Sequence, residues 1–223
     1  MIGVGHIKSF VLRSGRMSRA QESSYEAGGK YLIPYVDQVV DLSCFFGNDH
    51  PVTVEIGFGM GKATADVAEA NPGNNYVGIE VFKAGIGKLL WEIERRSLSN
   101  IRIIEKDAVA VMEKMIKTSS VAAFHLFFPD PWPKKRHHKR RLVQKPFACL
   151  LVSRLVTGGY IYMVSDWEHY AEQALEVFSA IPELYNPHGG SFAEGISWRP
   201  LTKFEKKGLD KNHLIKEIYM VKK

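Results

Sequence analysis

At 223 residues, with 45% hydrophobic and 24% charged residues, the chain has the size and composition of one globular domain, or one domain with an arm. It contains no run of about 18 uninterrupted apolar residues, which excludes a membrane-spanning helix, and its first residues lack the h-region and cleavage site of a signal peptide. Two cysteines, Cys44 and Cys149, are too few for a disulfide framework or a structural zinc site, and a net charge of +6 with a pI near 9.2 leans weakly towards a polyanionic partner. Both cysteines sit among apolar neighbours in sequence, so buried free thiols in a reducing cytoplasm are expected.

Residues 1–30 are polar and Gly/Ser-rich, with Lys8, Arg13, Arg16 and Arg19 spread through them, and read as a basic, mobile N-terminal arm, either a frayed terminus or a segment that orders on RNA. A single domain is expected over 31–223. Residues 31–46 read as a short helix or helical turn with Val36, Val39, Val40 and Leu42 on its apolar side. After the turn signal Asn48-Asp49-His50-Pro51 an alternating pattern begins. Strands are expected at Val52 to Ile56, Tyr76 to Ile79, Ile101 to Ile104, Val121 to Phe128 and Tyr160 to Val164. Between them, helices are expected at Lys62 to Ala70, Phe82 to Leu98, Val109 to Ile116 and Val143 to Val156, the last stopped by Thr157-Gly158-Gly159. A helix from Trp167 to Phe178 and an edge strand from His213 to Val221 complete the chain. Strands alternating with helices of this length predict an α/β fold with a doubly wound, mostly parallel sheet, helices on both faces and an antiparallel edge strand near the C-terminus.

Two stretches carry the chemistry. The fourth strand runs into Phe128-Pro129-Asp130-Pro131-Trp132-Pro133. Alternate prolines forbid helix and ladder pairing, so Asp130 and Trp132 are expected on a stiff turn at the carboxyl end of the strand, where ligands bind in such sheets. Lys134-Lys135-Arg136-His137-His138-Lys139-Arg140-Arg141 follows at once. A strip that dense beside a ligand end points to phosphate contacts whose affinity falls steeply with salt. Adjacent histidines with no further ligand at a suitable spacing predict no metal site.

The first strand ends Glu55-Ile56-Gly57-Phe58-Gly59-Met60-Gly61 and opens a helix. Gly57, Gly59 and Gly61 allow a sharp turn and close approach of a ligand. The spacing is not that of a dinucleotide fold, and Glu55 would repel a pyrophosphate. S-adenosylmethionine, which carries an ammonium and a sulfonium, suits a carboxylate there. Glu80 ends the second strand, placed to accept ribose hydroxyls. Asp107 follows the third, placed to accept from an adenine N–H, although an acidic residue there is equally a helix cap.

With these residues in view, the chain resembles the bacterial tRNA (guanine-N7-)-methyltransferases, which act on the variable-loop guanosine. The resemblance spans residues 7–221 and rests on the glycine loop, on Gly78-Ile79-Glu80-Val81, on Phe128 to His137, on Ser165-Asp166-Trp167-Glu168 and on Arg199-Pro200-Leu201-Thr202-Lys203-Phe204-Glu205. It implies a Rossmann-like class I methyltransferase fold. It implies an S-adenosylmethionine pocket lined by Glu55, Glu80, Asp107 and Asp130, with Asp130 the catalytic residue. It also implies tRNA contacts from Lys134, Asp166, Thr202, Lys203, Phe204 and Glu205. Phe82 and Ser165 depart from the His and Thr common in the family. The cationic side chains Lys135, Arg136, Lys139, Arg140 and Arg141 are expected on phosphates, and Trp132 either stacks on an extruded base or anchors the turn.

Three other readings remain open to the sequence. They are the same fold acting on another RNA or a protein, a non-catalytic basic RNA-binding module, and an NAD-dependent enzyme.

Overall fold

A computed structural model of the chain describes residues 8–11, 15–200, 205 and 214–223. A helix, α1 (Arg19–Ala27), precedes the sheet. Five parallel strands alternate with helices: β1 (Val52–Ile56), α2 (Lys62–Ala70), β2 (Asn75–Glu80), α3 (Lys83–Arg96), β3 (Ile101–Glu105), α4 (Ala108–Lys114), β4 (Val121–Phe127), α5 (Lys145–Arg154) and β5 (Leu155–Ser165). Then come α6 (Glu168–Ser179), a two-residue strand β6 (Leu184–Tyr185) and β7 (Lys216–Lys222). The sheet order is β3-β2-β1-β4-β5-β7-β6, with β7 antiparallel to β5 and only β6 beyond it. This is the doubly wound sheet that the alternation predicts, with its antiparallel addition at the C-terminal edge.

The chain winds outward from β1 in both directions, so the strand order reverses between β1 and β4. A crevice opens at such a reversal, outside the carboxyl ends of the strands. All five residues of β1 are buried because helices cover both faces. One face packs α4, α5 and α6 around Val54, Phe124, Ile161 and Tyr170. On the other, α2 and α3 pack on Tyr76, Ile101 and Ile103, and a smaller cluster of Phe127, Tyr162 and Val164 covers the far strands. Among the described residues no helix is long and apolar enough to cross a membrane.

Inside the basic N-terminal stretch, α1 is built and docked by specific contacts. Ser18 and Gln21 form a reciprocal capping box. Gln21 Nε2 donates to the Ala84 carbonyl (3.3 Å) and the Ser24 hydroxyl to Glu94 (2.9 Å). A Cβ on Gly87 would lie 2.6 Å from the Gln21 carbonyl, so this glycine lets α1 lie directly on α3.

Three expectations fail, each for a traceable reason. Of the short helix or helical turn expected over 31–46, only a 3-10 turn at Leu42–Phe45 forms. Pro34 has no N–H, while Ile33 N–H donates to the Ile103 carbonyl and Val40 N–H to the Met115 carbonyl, both at 2.8 Å. The segment therefore places its hydrogen bonds on the outer edge of β3 and on the residues just after α4, and ends in a 3-10 turn, Leu42–Phe45. The fifth helix stops at Arg154, and Thr157-Gly158-Gly159 lies inside β5. There Val121 pairs with Leu155 but Ala123 with Tyr160, so the glycines form a bulge rather than a helix stop. Cys44 and Cys149 are exposed rather than buried. On α5 it is Phe147, Ala148, Leu151 and Val152 that face the sheet, and Cys149 points away from them. In the 3-10 turn Leu42 takes the inward position.

Candidate active site

The glycine loop joins β1 to α2 through three alternate left-handed glycines, with φ of 75° at Gly57, 58° at Gly59 and 69° at Gly61. L side chains rarely adopt such φ values, which is why glycine stands at each. A Cβ on Gly57 or Gly59 would meet nothing within 4 Å, so the space above the loop is open to a ligand. The other side of the loop is filled. A Cβ on Gly61 would lie 2.6 Å from Leu89, and one on Gly85 would lie 1.9 Å from the Gly59 carbonyl. Gly85 therefore lets the start of α3 press directly on the loop. Its only sequence signal is a glycine pair, Gly85 and Gly87, in an otherwise helix-forming segment.

Glu80, at the end of β2, ties this arrangement together. Its Oε2 accepts from Gly59 N–H (2.9 Å) and its Oε1 from Val81 N–H (2.7 Å) and Phe82 N–H (3.1 Å). Burial raises its pKa, and the charge of Asp130 adds to the rise against the three backbone donors. Glu55 pairs in register with Gly78 on one side and His125 on the other. It is 4% exposed, and burial pushes its pKa up to about 7, the Thr64 hydroxyl opposing and Glu80 adding. Glu55, Glu80 and Asp130 thus share one electrostatic field at the carboxyl ends of β1, β2 and β4. Asp107 serves as the N-cap of α4, its Oδ1 accepting from Val109 N–H (2.9 Å) and Ala110 N–H (3.2 Å).

The proline-rich turn is held in an unusual backbone conformation, with φ of 52° at Phe128 and 45° at Trp132. Non-glycine residues pay for such φ values, and they cluster at functional sites. Phe128 N–H donates to the Val164 carbonyl (2.8 Å), so the turn starts from the last rung between β4 and β5. Asp130 itself is exposed. Asp166 stands just beyond Ser165, at the carboxyl end of the neighbouring β5. Trp132 acts as an anchor: its Nε1–H donates to the Ser9 carbonyl (3.1 Å), and the Arg140 guanidinium lies over its ring, 5.0 Å from the centroid.

The family model described as "Putative methyltransferase" matches residues 49–218. The chain is 49% identical over 212 residues to a tRNA (guanine-N(7)-)-methyltransferase of Bordetella pertussis (strain Tohama I), covering 95% of this chain and 83% of that one. It is 49% identical over 222 residues to the protein of that name from Dechloromonas aromatica (strain RCB), covering 99% and 90%. The chain belongs to the tRNA (guanine-N(7)-)-methyltransferase family. Among solved structures, the aminoglycoside resistance methyltransferase NpmB1 superposes with a TM-score of 0.55 at 12% identity, over 83% of this chain and 95% of that one. An antibiotic-related methyltransferase gives 0.54 at 14% identity, over 82% and 92%. These two establish the methyltransferase fold.

In this methyltransferase the strip after the turn winds into a 3-10 helix, Lys135–Arg140, with Lys134 just before it. Lys134, Lys135, Arg136 and Lys139 are exposed, and Arg140 is half-buried beside Trp132. Arg141 does not belong with them. It is 2% exposed, with Nε–H donating to the Pro131 carbonyl (2.9 Å), so it cannot serve as a phosphate contact. Among the described residues no group of three His, Cys, Asp or Glu is placed to hold a metal.

Glu205 is also buried, at 7% exposure, and its carboxylate is taken by Arg199 through Nη1 (2.5 Å) and Nη2 (2.9 Å). Arg199 further donates to Glu217 on β7 (3.0 Å) and to the Tyr162 hydroxyl on β5 (3.2 Å). Its carboxylate partners raise its pKa against burial. Glu205 is therefore half of a buried ion network rather than an exposed tRNA contact. Thr202, Lys203 and Phe204 lie outside the described residues. Arg199→Met leaves Glu205 and Glu217 facing each other without their cation. The expected loss is about 3–5 kcal/mol of folding stability, read from urea unfolding. A loss below about 1 kcal/mol would show that the network is solvated.

Proposed function

We propose that the enzyme transfers a methyl group from S-adenosylmethionine to N7 of the variable-loop guanosine of tRNA, forming 7-methylguanosine in the cytoplasm. The observation that carries this reading is the position of Asp130. It is an exposed carboxylate on a strained turn, within electrostatic reach of Glu80 and followed by a strip of exposed cations. The tRNA (guanine-N(7)-)-methyltransferases that it resembles over almost the whole chain support the acceptor.

The residues present fit the cofactor. The loop leaves open space over Gly57 and Gly59, and the groups around it are carboxylates, which match a cationic ligand and oppose a pyrophosphate. Glu55 and Glu80 would hold it, with Asp107 and Asp130 at its flanks. When bound, S-adenosylmethionine supplies an electrophilic methyl group, and its sulfur keeps the electron pair of the broken C–S bond.

Guanine N7 offers a free lone pair and loses no proton in forming the new bond, so the chain needs no general base for the chemical step. Asp130 acts through position and charge. Its carboxylate accepts from guanine N1–H and the exocyclic amine, which selects guanine over adenine, and it favours the positive charge that develops on the methylated ring. The stiff turn keeps that contact in place, so much of the rate comes from orientation. Lys134, Lys135, Arg136, Lys139 and Arg140 engage phosphates, and Lys8, beside the Ser9 that binds Trp132, extends their surface. Asp166 contacts the substrate from the neighbouring strand end.

The experiment is transfer of labelled methyl from S-adenosylmethionine to unfractionated tRNA, followed by nucleoside analysis. Label in 7-methylguanosine is the expected result. Label in another nucleoside, or in none while the cofactor still binds, overturns the assignment of the acceptor.

A further inference from the structure

We infer that Arg141 is a positioning residue that holds the Pro129–Pro133 turn, and with it Asp130, in its working geometry. The inference rests on the reading of Asp130 just given. Pro129, Pro131 and Pro133 have no N–H, so the turn has few donors with which to fix itself. Trp132 within it, and Phe128 just before it, also sit at positive φ, a conformation that persists only when surrounding contacts impose it. The Phe128 N–H secures the strand end. The carbonyl next to Asp130, that of Pro131, is held by Arg141 Nε–H at 2.9 Å.

Arg141 is suited to this because it is itself immobilised. Its guanidinium lies over the Tyr170 ring, 4.9 Å from the centroid. Its Nη1 contacts Gln173 Oε1 (3.2 Å) and His169 Nδ1 (3.0 Å), both on α6. Gln173 Nε2 donates in turn to the Val143 carbonyl (2.8 Å), and Val143 N–H donates to the Tyr170 hydroxyl (3.1 Å). The turn is thereby bolted through one planar fork to a rigid helix packed on the sheet. A lysine, with a single flexible ammonium, reproduces only part of that fork. Among the described residues Arg141 Nη2 is buried with no hydrogen-bond partner, a cost that a purely packing residue would not carry.

The test compares Arg141→Met and Arg141→Lys with Lys139→Ala and Asp130→Asn, measuring kcat, the KM for tRNA, S-adenosylmethionine affinity and the dependence of KM on salt. Arg141→Met should lower kcat about 10- to 100-fold, with cofactor affinity and KM changed less than about threefold, because only orientation is lost. Arg141→Lys should recover part of the rate. Lys139→Ala should instead raise KM and reduce the salt slope by about one, the signature of a phosphate contact. That same signature in Arg141→Met, or an unchanged kcat in the folded variant, overturns the inference. If Arg141→Met does not fold, Gln173→Leu, which keeps the Pro131 bond but frees one arm of the fork, should still lower kcat at constant KM. An unchanged kcat there counts against the inference equally. Asp130→Asn separates the two claims. Full activity in that variant defeats the reading of Asp130 itself, whereas its loss beside an active Arg141→Met defeats only the role of Arg141.

Discussion

Asp130→Asn lowers the single-turnover rate of methyl transfer by about 100- to 1000-fold, while tRNA affinity stays within about threefold. The substitution keeps the shape of the side chain and removes its charge. It also places an N–H₂ group where the carboxylate accepts from guanine N1–H and the exocyclic amine, so one favourable contact becomes a meeting of donors. The turn is unaffected, because it is held through Phe128 N–H, the Pro131 carbonyl and the Trp132 indole rather than through the Asp130 side chain alone. Quenched-flow transfer to excess enzyme, with filter binding of tRNA, separates the chemical step from association. A rate within about threefold of the unmodified enzyme would remove Asp130 from the chemistry.

Glu55→Gln exchanges function for stability. The native Glu55 carboxyl has a pKa near 7, against 4.5 for the free group. Between those values the folded state holds a proton that the unfolded chain has released, so the contribution of this group to stability falls as pH rises and levels off above the folded pKa. At about pH 8 the buried carboxylate costs the fold up to about 3 kcal/mol, and the neutral amide avoids that cost. The variant should therefore be more stable at about pH 8 and gain little at about pH 5, as read by urea unfolding at the two values. It should also bind S-adenosylmethionine at least about tenfold more weakly, because a charge facing a cation is gone. In the unmodified enzyme, cofactor affinity should drop about tenfold between about pH 8 and pH 6, as the competent ionised fraction shrinks. A flat affinity profile, or no gain in stability at the higher pH, would show that Glu55 does not face the ligand as a buried carboxylate.

Both results concern groups whose positions were legible early. Glu55 and Glu80 stand at strand ends next to a glycine-rich turn, and Asp130 stands in a run of alternate prolines. These are local signals, and local backbone chemistry decides them. Asp107 was legible as an acid after the third strand, with two roles open, and the structure gives it the cap of α4. The bulge at Gly158 is not legible locally, because a Gly-Gly pair serves equally to end a helix or to bulge a strand. What decides between them is the partner strand, which skips from Val121 to Ala123 there.

The amino-acid sequence by itself determined the alternation of strands and helices, the left-handed glycine loop and the stop at the proline turn. Each depends on φ/ψ preference, hydrophobic period and missing N–H groups within a few residues. Only the tertiary structure decided which charged side chains are chemical groups and which are struts. Arg141 sits in an unbroken basic strip, yet it is buried because α6 brings Tyr170, His169 and Gln173 around it. Glu205 ends a motif that resembles a substrate contact, yet Arg199 takes its carboxylate beside Tyr162 and Glu217. Gly85 matters because the Gly59 carbonyl lies where its Cβ would be. A long charged side chain carries no local preference for water or interior strong enough to settle its place. Its environment is set by partners that come from distant strands and helices, and desolvation is tolerated only where those partners converge.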